Sequence, residues 1–264
     1  MVGVRNLNAT KQGKMTPSTS PPALWDALSL NDPHAQPDKA NRVQQMFDSI
    51  APTYELVNSV SSMGRDRVWR RTLIEMADVS KGAAVLDVAC GTGNLVRMLA
   101  DQTPAGRVVG VDFASGMLRH AVAPQRPNAD YCQADACQLP FRDGRFDLLS
   151  CAFGVRNFQN LDAGLTEFAR VLRAGGRALI LEFSLPANRL LRKAYLYYFR
   201  NILPRTAGWI SRDRVGAYRY LPESVISFLE DAEIVERLRG AGFRDVRVRR
   251  MTLGVVSIFV ATKG

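Results

Sequence analysis

Residues 85–94 read Val85-Leu86-Asp87-Val88-Ala89-Cys90-Gly91-Thr92-Gly93-Asn94, an apolar run that ends in a Gly-x-Gly turn and opens a helical stretch. Glycine suits this turn because backbone must pass close to a ligand and can take positive φ there. A dinucleotide fingerprint would need a third small residue at position 96, where helix meets strand, and Val96 stands there instead. Asp87, inside the run, sits badly with a pyrophosphate. It suits a ligand with positive charge, reached directly or through water. Outward from this stretch, apolar runs at 83–89, 108–113, 129–134, 146–153 and 178–183 alternate with helical patterns, most clearly at 94–101, 115–122 and 162–173. Such alternation predicts a parallel sheet covered on both faces. Two closing runs, 246–252 and 255–262, are joined at Leu253-Gly254, a link that favours a hairpin. The last strand is therefore expected to enter the sheet antiparallel.

A mostly parallel seven-stranded α/β sheet with a terminal antiparallel hairpin and helices on both faces is the layout of a class I methyltransferase. The strand ends agree with that reading. The second run ends in Asp112, where a carboxylate can grip ribose hydroxyls. The third ends in Gln133-Ala134-Asp135-Ala136, which puts Asp135 near an adenine amino group. A cation, a ribose and an adenine together describe S-adenosylmethionine. The expected cofactor residues are Asp87, Gly91, Thr92, Gly93, Asp112, Asp135 and Ala136.

Composition sets the outer limits. The chain has 264 residues, 47% hydrophobic and 23% charged, too apolar for a disordered protein and long enough for one large domain. No apolar run approaches the ~18 residues of a membrane-spanning helix, and no secretory leader is evident. Residues 1–40 hold five of the thirteen prolines and read as a disordered or loosely docked tail. Residues 41–264 read as the catalytic domain. Within it, 41–80 forms a helical lid, with one helix starting near Asn41 and ending at Pro52 and another over 67–78. Cys90, Cys132, Cys137 and Cys151 lack C-x-x-C spacing and read as reduced thiols. With only His34 and His120, neither a Ser-His-Asp hydrolase nor a histidine-ligated zinc site is expected, and no metal is implied.

Four stretches resemble one family, the C-methyltransferases of ubiquinone and menaquinone biosynthesis, over about residues 43–264. The first, Met46 to Trp69, is similar to the family pattern Y-D-x-x-N-x-x-x-S-x-G-x-H-x-x-W through Tyr54, Asn58, Ser62, Gly64 and Trp69. Glu55 stands there for the usual Asp and Asp66 for the usual His. The second is the cofactor turn. The third is Phe153-Gly154-Val155-Arg156-Asn157, preceded by Ala152 where family members often place a serine beside the cofactor. The fourth runs from Arg170 to Gly176, with Ala174 for Pro, and on to Leu181-Glu182-Phe183-Ser184. Leu203-Pro204-Arg205 and the run from Tyr218 to Ser224 extend it.

The resemblance implies methyl transfer to a ring carbon of a reduced polyprenyl quinone, demethylmenaquinol first, with a benzoquinol or another small lipophilic molecule as the alternative. Alignment of carbon, methyl and sulfur, and loss of a phenolic proton, are what such a reaction asks of the protein. Arg156 is the candidate for holding the phenolic oxygen, with Tyr54 and Asn58 closing the site and Ala152 beside the cofactor. Trp69 reads as core packing. A carboxylate, a tyrosine or water is left to take the proton.

The net charge is +10, and +7 of it lies between residues 189 and 220, where eight basic residues and one acid interleave with seven aromatics. This basic, aromatic insertion (187–222) suits a cap over an apolar pocket that rests on anionic headgroups. The expected partners are a polyprenyl quinol and a peripheral membrane surface, with a cytoplasmic location at the inner face. Nucleic acid is disfavoured because Phe153-Gly154-Val155-Arg156 stands where an N-P-P-[YF] motif would. Intact glycines and carboxylates count against a non-catalytic partner protein.

Overall fold

The computed structural model of the chain describes residues 24–122, 126–211 and 215–264. Seven strands make one sheet: β1 Ala84–Val88, β2 Arg107–Asp112, β3 Ala129–Gln133, β4 Phe146–Ala152, β5 Leu172–Phe183, β6 Phe243–Met251 and β7 Val256–Lys263. Their order is β3-β2-β1-β4-β5-β7-β6, parallel throughout except for β7, which runs antiparallel to both β5 and β6. The succession of strands across the sheet changes direction between β1 and β4, so the first and fourth strand ends open side by side onto one crevice. That is where doubly wound sheets bind ligands.

Helices α1 Lys39–Ile50, α2 Tyr54–Ser61 and α3 Arg65–Ala77 precede the sheet. Helices α4 Asn94–Gln102, α5 Ser115–Ala121 and α6 Leu161–Val171 connect its strands. After β5 come α7 Arg189–Tyr197, a π-helical turn Tyr198–Ile202, α8 Leu203–Ser211 and α9 Ala217–Ile226, with α10 Asp231–Gly240 leading into β6. Leu86, Leu149, Phe168 and Ile180 belong to one buried cluster; Val85, Leu99, Leu148 and Leu179 belong to a second. Neighbouring positions of β1, β4 and β5 thus fall in different clusters, as expected for strands covered on both faces.

Val96 has a physical explanation. Its Cγ2 would lie 2.8 Å from a Cβ at Gly110 in β2. The small residue that lets this helix pack closely is on the neighbouring strand rather than in the turn. Two expectations are corrected. Helix α6 ends at Val171 and β5 begins at once, the stretch before Arg177 leaving the β4 register with Gly175 at φ +71°. Residues 24–38 are also no loose tail: Trp25 is fully buried, its ring stacked on Tyr220 with centroids 4.2 Å apart. Lone tryptophans in polar, Pro-rich sequence give no periodicity from which docking could be read. Residues 1–23 of the expected tail lie outside the described residues.

Candidate active site

Two cavities meet at the carboxyl ends of the parallel strands. One, of about 90 Å³, is walled by Gly91, Asp112, Asp135, Ala136 and Ala152. A smaller recess of about 30 Å³ beside it reaches Asp87, Thr92 and again Gly91 and Ala152. These are the residues expected to hold the cofactor, save Gly93, which sits against the Tyr131 ring.

The three carboxylates differ in environment. Asp87 is buried in β1, and its Oδ1 accepts the Ser150 hydroxyl at 2.6 Å. Burial pushes its pKa up to about 7, against the opposing effects of the Ser150 bond and the Arg70 charge. Asp112 accepts the backbone N–H groups of Gly91 at 2.7 Å and Ala114 at 2.8 Å, so it fixes the glycine turn as well as facing the cavity. Burial raises its pKa to about 6. Asp135 is exposed and accepts the Cys137 N–H at 2.8 Å. Thr92 donates its hydroxyl to Glu55 at 2.7 Å, which ties α2 to the turn.

The second cavity, of about 300 Å³, is walled mostly by aromatic and aliphatic side chains from α1–α3, α7–α9 and the strand ends. Tyr54, Asn58, Trp69 and Arg156 all line it. Tyr54, Phe47 and Phe153 line both this cavity and the cofactor cavity, so the two spaces share a wall. Phe153 holds φ +59° and Ala89 φ +55°, left-handed values that cost a non-glycine residue energy and that cluster at sites of function. Between them Gly154 leaves no room for a side chain: a Cβ there would lie 2.6 Å from the Ala89 Cβ.

Arg156 is buried. Its Nη1 donates to Glu182 Oε1 and to the Phe153 carbonyl, each at 2.7 Å. Among the described residues its Nε has no partner, and neither has the buried hydroxyl of Tyr195, which lines the same cavity. Trp69 is core, as expected, and its Nε1 donates to Thr252 at 2.7 Å while its ring meets Phe153 and Phe183 edge-on.

Several participants went unread. Glu182 stands in a quoted stretch, and an acid inside a strand that is otherwise apolar was itself the signal of a buried partner. Lys39 is buried and donates to the carbonyls of Arg156 at 2.9 Å and Phe158 at 2.7 Å, clasping the loop from the N-terminal side. Nothing in its local sequence marks it. Arg70 and Tyr195 also line the cavity, each hidden in an ordinary amphipathic helix pattern.

The profile of the ubiE/COQ5 methyltransferase family matches residues 35–263. The chain is 41% identical to the ubiquinone/menaquinone biosynthesis C-methyltransferase UbiE of Geobacter sulfurreducens, over 86% of this chain and 90% of that one. It is 42% identical to the demethylmenaquinone methyltransferase of Deinococcus radiodurans, over 86% and 94%. In fold it is similar to phosphoethanolamine N-methyltransferase 2 of Haemonchus contortus, solved with S-adenosyl-L-methionine, with TM-score 0.56 and 18% identity over 74% of this chain and 52% of that one. A profile match over nearly the whole described chain, with relatives at this identity, makes the chain a member of the ubiE/COQ5 methyltransferase family.

Proposed function

We propose that this chain methylates a ring carbon of a reduced polyprenyl quinone, with demethylmenaquinol as the substrate. The observation that carries the reading is the shared wall: a carboxylate-lined pocket at the strand ends opens against an aromatic cavity through Phe47, Tyr54 and Phe153. S-adenosylmethionine, when bound, supplies a methyl group that is already strongly electrophilic. What remains for the chain is alignment and control of one proton.

Asp87 suits the amino group, Asp112 the ribose and Asp135 the adenine, with Gly91, Gly93, Thr92, Ala136 and Ala152 shaping the pocket. Tyr54 and Asn58 close the quinol ring in from the lid. Arg156, whose Nε has no partner among the described residues, holds a quinol oxygen and favours its phenolate form.

Methyl transfer from labelled S-adenosylmethionine to short-chain demethylmenaquinol under anaerobic conditions tests the reaction, with a benzoquinol and RNA as parallel acceptors. Transfer to no quinol would overturn it. Arg156→Ala lowers kcat by about 100-fold and also destabilises the fold by about 3–5 kcal/mol, because Glu182 is left buried and unpaired. The paired variant Arg156→Met/Glu182→Leu is expected to recover stability but not turnover. If turnover returned with stability, the oxygen-holding role would be wrong.

A pH dependence follows from the buried carboxylates. Because burial raises the folded pKa of Asp87 to about 7 and of Asp112 to about 6, the unliganded protein loses stability from these groups as pH rises through that window. Ligand binding needs the ionised forms, so it follows the opposite slope. Affinity for S-adenosylhomocysteine is expected to be at least about tenfold weaker at pH 5.5 than at pH 7.5. Calorimetric titration showing a flat profile would contradict this.

The rim of the aromatic cavity supports membrane contact. Met63, Leu190 and Leu253 are each about four-fifths exposed, and Met63, Leu191 and Thr252 line the cavity. Exposed Arg65, Arg189 and Lys193 stand close by in sequence. A rim of this kind suits an anionic bilayer from which a prenylated quinol is drawn. The chain is expected to co-sediment with anionic vesicles at low salt, and Met63→Asp/Leu253→Asp to weaken binding about tenfold or more. Absence of vesicle binding by the unaltered chain would count against the role.

A further inference from the structure

The wall of the aromatic cavity carries one carboxylate among the described residues, Asp66. Glu182, next in sequence to the cavity-lining Phe183, is fully buried and held by Arg156. Asp66 lies in the first turn of α3 and is itself 9% exposed. Its Oδ1 accepts the Ser62 hydroxyl at 3.0 Å and its Oδ2 accepts Arg70 Nη1 at 2.7 Å. A carboxylate offers roughly four lone-pair positions and no donor, so about half its accepting capacity is left over. In the family pattern this position is histidine, which can donate or accept. Aspartate paired with an arginine only accepts.

We propose that Asp66 makes the site selective for the reduced form of the quinone; the inference rests on the quinol reading above and names the residue that enforces it. A hydroquinone has a hydroxyl to donate into the carboxylate. The oxidised quinone has only carbonyl oxygens, and one placed here would set lone pairs against a buried negative charge with no proton between them. The opposite chemistry holds at Arg156 Nε and the Tyr195 hydroxyl, both buried, both without partners among the described residues and both able to donate. Those donors take an oxygen of either redox form, so discrimination falls on Asp66. Arg70, which pairs with Asp66 at 2.7 Å, also lines the recess of Asp87, on which its charge acts.

The test is anaerobic binding of short-chain demethylmenaquinol and of the matching quinone to the full chain with S-adenosylhomocysteine bound. The unaltered protein is expected to bind the quinol at least about tenfold more tightly. Asp66→Asn keeps the shape but adds a donor, and should bring the two dissociation constants within about twofold, mainly by tighter quinone binding. Asp66→Glu should keep the preference. Asp66→His, the residue of the family pattern, should lose it and serves if the asparagine variant fails to bind S-adenosylhomocysteine. An unchanged quinol-to-quinone ratio in both the asparagine and histidine variants, or no preference in the unaltered protein, overturns the role of Asp66. Binding of neither form overturns the quinol reading itself, and the selectivity role with it.

Discussion

The ion pair between Arg156 and Glu182 is the constraint around which the site is organised. Two charges taken out of water are tolerated only when they face each other with good geometry. Glu182 is held by the register of β5, one residue beyond the pairing of Ala152 with Leu181. Arg156 is brought to it by the turn that leaves β4, fixed by the bond from the Phe153 N–H to the Leu181 carbonyl and clasped by Lys39. Its guanidinium also lies over the Phe183 ring, 5.3 Å from the centroid. The backbone strain at Phe153 belongs to the same arrangement, since the tight turn is what lets that ring stand between cofactor pocket and aromatic cavity.

The parallel layout, the antiparallel last strand and the carboxylates at three strand ends were legible because each leaves a local mark: alternation of apolar runs, a two-residue link, an acid at the end of a run. Seven of the eight cofactor candidates lie on the cavity walls for that reason. The contacts that cross the chain were not legible. Trp25 stacks on Tyr220 and Lys39 reaches Arg156 over long stretches of sequence, and neither contact has a periodicity. Gly110 shows the same limit from another side, since the missing small residue in the helix is compensated on a neighbouring strand.

The basic insertion separates into two populations once its packing is seen. Tyr195, Phe199, Tyr218 and Tyr220 are buried and build the cavity wall, whereas Arg200 is spent on Glu223 through paired bonds of 2.9 and 3.0 Å. Arg189, Lys193, Arg205 and Arg219 stay exposed, the first two flanking Leu191, which lines the cavity. Arg212, Asp213 and Arg214 lie outside the described residues. Composition alone made the insertion a uniform basic and aromatic segment; burial divides its aromatics, which line the cavity, from its exposed cations.

In the proposed reaction, cofactor and quinol occupy adjoining cavities with Phe153 and Tyr54 between them and one quinol oxygen on Arg156. A crystal structure with S-adenosylhomocysteine and a short-chain naphthoquinol tests it most directly. The expected result places the adenosyl group on Asp112 and Asp135, and the quinol ring among the aromatics with an oxygen within hydrogen-bond distance of Arg156. A ring bound elsewhere, or one in the cavity with Arg156 still engaged only with Glu182 and the Phe153 carbonyl, would contradict it.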